Sequence, residues 1–212
     1  MMKKVLAALA MSGMMASAHA DYLVMEGFDD VSTLAAKGWV MNNASTPLGT
    51  TGWYQGDESQ FRAQNGAPSS YIAANYNNAA AGGTIANWLI TPEFSIDEGA
   101  IVSFWVRGAA ADGFSDMFSF GLSNGSADPG DFSISRARDA DTDGWVHYEA
   151  RFEKGLATGN ARFALLYAGE ADLSNYIGFD NLRISAIPEP SSMLILGAGV
   201  MGLVAARRRK RG

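Results

Sequence analysis

The sequence predicts an all-β fold, a two-sheet jelly-roll β-sandwich built as a single domain. Short segments rich in β-branched and aromatic residues recur along the chain, and Gly, Pro, Asn or Asp clusters separate most of them. Helical periodicity is almost absent. Residues 21–187 lie between two apolar ends and are long enough for one domain with a sizeable core. We therefore expect three parts: a signal peptide at 1–20, the sandwich at 21–187, and a sorting signal at 188–212.

Nine segments carry the strand pattern. In chain order they are residues 22–28, 40–43, 71–74, 85–90, 101–107, 117–122, 146–152, 162–167 and 176–185. Strict alternation in 146–152 places His147, Glu149 and Arg151 on a polar face. Residues 31–37, which precede Gly38, are expected to form one or two helical turns, and residues 77–83 a small flexible loop.

The N-terminus has the pattern of a secretory signal peptide. Lys3 and Lys4 form a basic start, residues 5–16 are apolar, and Ala18 and Ala20 frame an A-x-A cleavage site. The mature chain is expected to begin at Asp21. The pattern predicts export.

The C-terminus combines three features in a fixed order. Pro188, Glu189 and Pro190 precede 16 uncharged residues, 191–206, and five consecutive cations follow at 207–211. As a helix the apolar span would reach about 24 Å, short of a hydrocarbon core of about 30 Å. The cations are expected to stay cytoplasmic, so this segment is predicted to enter the inner membrane as a transmembrane sorting helix.

This tail resembles the PEP-CTERM sorting signal of Gram-negative bacteria. The resemblance implies that an exosortase-like membrane protease cuts near the Pro-Glu-Pro motif and releases or transfers the body to the cell surface or the medium. The alternative is a single-span tail anchor that is not processed.

Composition narrows the function of the body. Residues 21–187 hold nine Lys and Arg against 21 Asp and Glu, a formal net charge of −12, which argues against nucleic acid as a partner. The absence of cysteine excludes disulfides and thiol catalysis. His147 is the only histidine of the body, and its strand pattern predicts a solvent-facing residue rather than a general base. We predict no catalytic residues and no enzyme.

The body also resembles a known family. The matching segments are 26–30 (Glu-Gly-Phe-Asp-Asp), 37–39 (Lys-Gly-Trp), 87–92 (Asn-Trp-Leu-Ile-Thr-Pro), 101–107 and 176–182 (Tyr-Ile-Gly-Phe-Asp-Asn-Leu). Together they resemble the choice-of-anchor J domain, which is similar to cleaved-adhesin and MAM-type jelly rolls. The resemblance covers nearly all of residues 22–186 and implies a sandwich of surface proteins, mostly without known catalysis.

Two acidic groups are candidate calcium sites. Alternation places Glu26 and Asp180 on apolar strand faces, where a carboxylate needs hydrogen bonds, a cation or a metal. If the terminal strands are neighbours, Glu26 and Asp180 are expected to converge, and Asp29, or alternatively Asp30, to complete an oxygen site for structural Ca²⁺, which jelly rolls related to this family often carry. The alternative is that a bulge at Asp180 turns these groups to water, or that backbone amides satisfy them.

The second group is Asp139, Asp141 and Asp143. The pattern D-x-D-x-D-G resembles the start of an EF-hand loop, but Ala150 stands where the loop needs its Glu. The segment is interpreted as a calcium-binding turn or as a solvated hairpin turn.

Trp53 and Tyr54 are the candidate glycan contacts, because Gly and polar residues surround them in an expected loop. Trp88 and Trp105 lie in the most apolar strands and are expected in the core. Taken together, the sequence predicts an exported surface or matrix protein associated with exopolysaccharide or biofilm. A carbohydrate-binding module is the alternative, and a glycan hydrolase using two carboxylates is a third hypothesis.

Overall fold

The computed structural model describes residues 22–155 and 159–187. The predicted signal peptide, with Ala18 and Ala20, and the predicted sorting tail, with Pro188, Glu189 and Pro190, lie outside these residues. Within the described part of the chain, no helix is long and apolar enough to span a membrane.

The described residues contain fourteen strands. They are β1 Tyr22–Glu26, β2 Val40–Asn43, β3 Thr46–Leu48, β4 Tyr54–Gln55, β5 Ile72–Asn75, β6 Ala79–Ile90, β7 Phe94–Ser95, β8 Ala100–Gly108, β9 Met117–Ser123, β10 Ser133–Ile134, β11 Arg138–Asp139, β12 Val146–Phe152, β13 Asn160–Glu170 and β14 Tyr176–Ala186. Five single turns of 3₁₀-helix connect them, at Val31–Thr33, Ala35–Lys37, Tyr76–Asn78, Pro129–Asp131 and Ala171–Leu173.

The strands form two antiparallel sheets. The first sheet has the order β12-β8-β14-β5-β4, and β1 pairs with β14. The second has the order β10-β9-β13-β6-β2, and the short strands β3, β7 and β11 pair with β6, β13 and β9. The predicted all-β, two-sheet architecture is confirmed.

The core fills the space between the two sheets. In β8 the even-numbered side chains are buried and the odd-numbered ones are partly exposed, as expected when a strand has one core face and one outer face. Phe104 of β8 is fully buried and contacts Phe118, Phe120 and Phe163 of the second sheet. Aromatic contacts across the core therefore hold the sheets together.

All nine predicted strands are present, most with shifted ends. The predicted turns at 31–37 are confirmed as two 3₁₀-helices that end before Gly38, whose φ of 85° suits glycine. The predicted loop at 77–83 is wrong over much of its length, because β6 begins at Ala79. The Ala and Gly residues there belong to the strand that pairs with β3 at the edge of the second sheet. Because these residues are small, the hydrophobic pattern of the sequence did not predict a strand.

Candidate functional site

A bulge in β14 decides where Asp180 points. Asp180 pairs with Trp105 of β8, and the register then shifts so that Arg183 pairs with Ser103. Residues directly opposite each other in an antiparallel pair share a face, so Asp180 and Arg183 both lie on the outer face of the first sheet. Asn181, inside the bulge, has a left-handed φ of 48°. The prediction that Asp180 shares a face with Leu182 is therefore wrong.

Glu26 lies on the opposite face. It pairs with Leu182, a core residue, and its carboxylate accepts from the Phe28 amide at 2.9 Å and from Lys37 Nζ at 2.8 Å. The terminal strands are neighbours, as expected, but Glu26 and Asp180 do not converge. The reason is that the bulge reverses the alternation between them.

Two carboxylates of the second predicted calcium group accept hydrogen bonds from the protein itself. Asp139 lies in β11 and accepts from Ser115 Oγ at 2.5 Å, while Asp141 accepts from the Asp143 amide at 2.8 Å. Within residues 22–155 and 159–187, no three histidine, aspartate or glutamate side chains come together in a group able to hold a metal ion. Calcium binding stays a prediction of the sequence.

The candidate glycan contacts are not an exposed pair. Trp53 is only 8% exposed, belongs to the core and packs edge-on against Phe179 at 5.8 Å. Tyr54 is half-buried against Tyr176, and burial raises the pKa of its phenol. The expectation that both rings are free in a loop is wrong: the Tyr54–Gln55 strand pairs with β5 and draws the loop onto the sheet.

The outer face of the first sheet instead carries a polar groove of about 300 Å³. We call it the Trp105 groove. The sheet contributes Ser103, Trp105, His147 and Arg183, and Gln64, Asn65 and Asn181 form its rim. Trp105 and His147 are cross-strand neighbours with ring centres 5.0 Å apart.

Asp180 fixes the rim of this groove from below. Its Oδ2 accepts from the amides of Gln64 at 2.9 Å and Asn65 at 3.2 Å, and its Oδ1 accepts from the Asn181 amide at 2.6 Å. Asn181 Nδ2 donates to Gln64 Oε1 at 2.7 Å. Burial raises the pKa of Asp180 to about 6, the charge of Asp29 adds to the rise, and the three amides oppose it. The carboxylate therefore joins the loop before β5 to the bulge in β14.

A second groove lies elsewhere on the surface. It has a volume of about 420 Å³, and Tyr76 and Phe114, each 47% exposed, contribute to its wall. We call it the Tyr76 groove. Its lining is more apolar than that of the Trp105 groove.

Sequence reasoning missed the Trp105 groove. Trp88 is buried, as expected, but Trp105 is only partly buried and faces outward. A signal was present: Ser103 and Arg107 alternate with apolar residues in β8, and that alternation places Trp105 on the polar face. The loop residues had no comparable signal, because tertiary contacts bring them to the sheet: Asp180 and Asn181 bond Gln64, and Trp145 Nε1 donates to the carbonyl of Arg62.

Comparison with solved structures shows the fold. The K1 cleaved adhesin domain of Lys-gingipain from Porphyromonas gingivalis superposes with a TM-score of 0.59 and 18% identity, over 77% of this chain and 98% of that one. The K3 cleaved adhesin domain gives 0.57 and 19%, over 79% and 99%. An arabinose-bound GH51 α-L-arabinofuranosidase gives 0.51 and 15%, over 78% of this chain and 26% of the enzyme.

No curated protein matches the sequence significantly. Residues 186–210 match the PEP-CTERM protein-sorting motif, in agreement with the order of motif, apolar span and cations at 188–211. The chain thus joins a β-sandwich with the fold of cleaved adhesin domains to a C-terminal PEP-CTERM protein-sorting motif.

Proposed function

We propose that this chain is exported across the inner membrane, cleaved near Pro188-Glu189-Pro190 by an exosortase-like protease, and delivered to the cell surface or the medium. There its β-sandwich acts as a non-catalytic module associated with extracellular polysaccharide. The observation that carries the proposal is the match of residues 186–210 to the PEP-CTERM motif.

The body supports a binding role more than a catalytic one. His147, the only histidine within the described residues, packs on Trp105 and has no carboxylate hydrogen-bonded to it there. The buried carboxylate Asp180 accepts three backbone amides and is covered by the 64–65 loop, an arrangement suited to holding a loop. Two surface grooves with partly exposed aromatic rings offer contact area for a glycan.

The sorting step is tested in the producing organism. We expect the wild-type chain to lose its C-terminal segment, which shortens it by about 25 residues on an immunoblot (residues 188–212). Replacing Pro188, Glu189 and Pro190 by alanine should leave a membrane-bound product that keeps its C-terminal segment. A matched control replaces Ser191 and Ser192 by alanine and should be processed normally. Equal processing of the motif variant and the control would overturn the sorting proposal.

The polysaccharide association is tested with the processed protein purified after export. It should be retained on the extracellular polysaccharide of the producing organism and eluted by an excess of the same soluble polymer. Release of reducing sugar during the incubation would contradict the non-catalytic role. Failure to be retained would overturn the association while leaving the sorting proposal intact.

A further inference from the structure

We infer that the Trp105 groove binds a sugar residue that carries a carboxylate, with the carboxylate on Arg183 and the sugar hydroxyls on the polar groups around Trp105. The inference rests on the proposed association with extracellular polysaccharide and specifies its site and its chemistry.

The groove holds donors that the protein itself does not use. Within residues 22–155 and 159–187, the indole N–H of Trp105, the imidazole of His147 and the guanidinium of Arg183 make no hydrogen bond or ion pair. Their contacts are with rings: Trp105 and His147 pack together, and Arg183 lies 5.9 Å from the centre of the Tyr22 ring. Convergent polar groups of this kind orient a ligand.

The charge of the groove selects an acidic ligand. Arg183 is the only lysine or arginine among the lining residues, and no Asp or Glu lines the groove with it. Two carboxylates of this face lie outside the lining. Glu149 is paired with Ser103, and Asp180 is buried beneath the rim, where it accepts from three backbone amides. Because a guanidinium binds a carboxylate through two parallel hydrogen bonds, Arg183 suits a uronic acid better than a neutral sugar.

A sugar also needs hydrogen-bonding partners for its hydroxyl groups. The lining of the groove is mainly polar: beside Trp105, Ser103 contributes a hydroxyl, and Gln64 and Asn65 contribute side-chain amides. The volume of about 300 Å³ is at the small end of ligand sites, which span roughly 300–1,000 Å³. It suits one or two sugar residues.

Hydrogen bonds within the protein position the rim of the groove. Asp180 holds the amides of Gln64 and Asn65, and Asn181 keeps a left-handed backbone while donating to Gln64. Binding then costs little loop ordering, which favours affinity. Strained backbone of this kind is common at ligand sites.

The experiment uses the processed protein and the producing organism's extracellular polysaccharide, either native or with its carboxyl groups reduced to alcohols. We expect reduction to weaken binding at least tenfold. Arg183→Gln and Trp105→Ala should each weaken binding to the native polymer at least tenfold. Arg136→Gln removes the same charge from an exposed loop of the second sheet and should leave binding unchanged, as should Tyr76→Ala in the Tyr76 groove.

The outcomes separate the two proposals. Unfolding midpoints within 2 °C of wild type, an order-of-magnitude criterion from the usual effect of surface substitutions, would show that the variants are folded. Binding that survives carboxyl reduction, Arg183→Gln and Trp105→Ala would overturn the Trp105 groove inference alone. Binding lost in Tyr76→Ala would move the site to the Tyr76 groove and also overturn it. No binding of wild type would overturn the polysaccharide association itself.

Discussion

Asp180 is a buried carboxylate that holds a surface loop, residues 64–65, against the bulge of β14. It is fully buried, yet all of its hydrogen bonds within the described chain go to backbone amides. Removing the carboxylate would leave these amides without their acceptor, which typically costs about 1–3 kcal/mol for each buried group. The same residue thus stabilises the domain and shapes the Trp105 groove.

The raised pKa of Asp180 makes stability depend on pH. Its folded-state pKa of about 6 lies above the ordinary value of 3.8, so the folded chain binds the proton more strongly than the unfolded chain does. The contribution to the free energy of unfolding is complete below pH 3.8 and is lost as the pH rises through 6. Between these values wild type should lose stability relative to Asp180→Asn, which cannot titrate.

Urea denaturation of both proteins at several pH values measures this difference. Asp143→Asn, an exposed carboxylate, is the control and should follow wild type. Parallel pH profiles for wild type and Asp180→Asn would contradict the raised pKa.

At the scale of elements, β14 depends on the absence of a side chain at Gly178. An aromatic cluster covers this end of the outer face: Phe61 stacks on Tyr71 with ring centres 5.0 Å apart, and Trp145 and Tyr176 meet both rings edge-on. A Cβ on Gly178 would lie 2.8 Å from Tyr71 Cδ2 and 2.9 Å from Phe61 Cε2. The strand can approach the cluster only because residue 178 is glycine.

Gly178→Ala should therefore destabilise the domain by about 1–3 kcal/mol, the usual cost of overpacking a filled core. Denaturant unfolding measures the loss, and near-ultraviolet circular dichroism reports on the aromatic cluster. Gly144→Ala is the matched control, because a Cβ there meets nothing within 4 Å, and it should change stability by less than about 0.5 kcal/mol. Equal stability of the two variants would contradict the close packing.

The whole molecule reaches stability without cysteine. An exported domain that has no disulfides relies on its core and on any bound ion. The core between the sheets is extensive, and the described carboxylates do not form a metal-binding group. Whether the domain also binds calcium is a separate question, and the pair of carboxylates Asp29 and Asp180 allows it to be tested.

Asp29 is the carboxylate whose charge acts on Asp180. The sequence predicts structural calcium at Glu26, Asp29 and Asp180, of which Glu26 lies on the opposite face of the sheet. A cation beside Asp29 and Asp180 would relieve their repulsion and raise the melting temperature. The rise should disappear with chelator and in Asp29→Asn, while Asp112→Asn, an exposed carboxylate outside both candidate calcium groups, should keep it. Equal melting temperatures of wild type in calcium and in chelator would contradict structural calcium.

The sequence by itself determined the strand pattern, the two-sheet class and the sorting motif. These features follow from local residue order: period-two alternation, turn residues between strands, and a motif, apolar span and cations in series. The alternation of β12 needed no tertiary information either, and His147 lies on the polar face as predicted.

The tertiary structure alone decided the candidate site. Strict alternation fails at Asp180 because a bulge adds a residue to β14. The sequence offered that bulge, and backbone amides as partners of Asp180, only as an alternative, and the pairing with β8 decided between the two interpretations. Trp53 is buried because β4 pairs with β5, and Trp105 is partly exposed because no segment covers it fully. Residues 64–65 reach Trp105 through Asp180, more than 100 positions away in sequence. Contacts at that separation depend on how the whole chain packs, which local sequence does not encode.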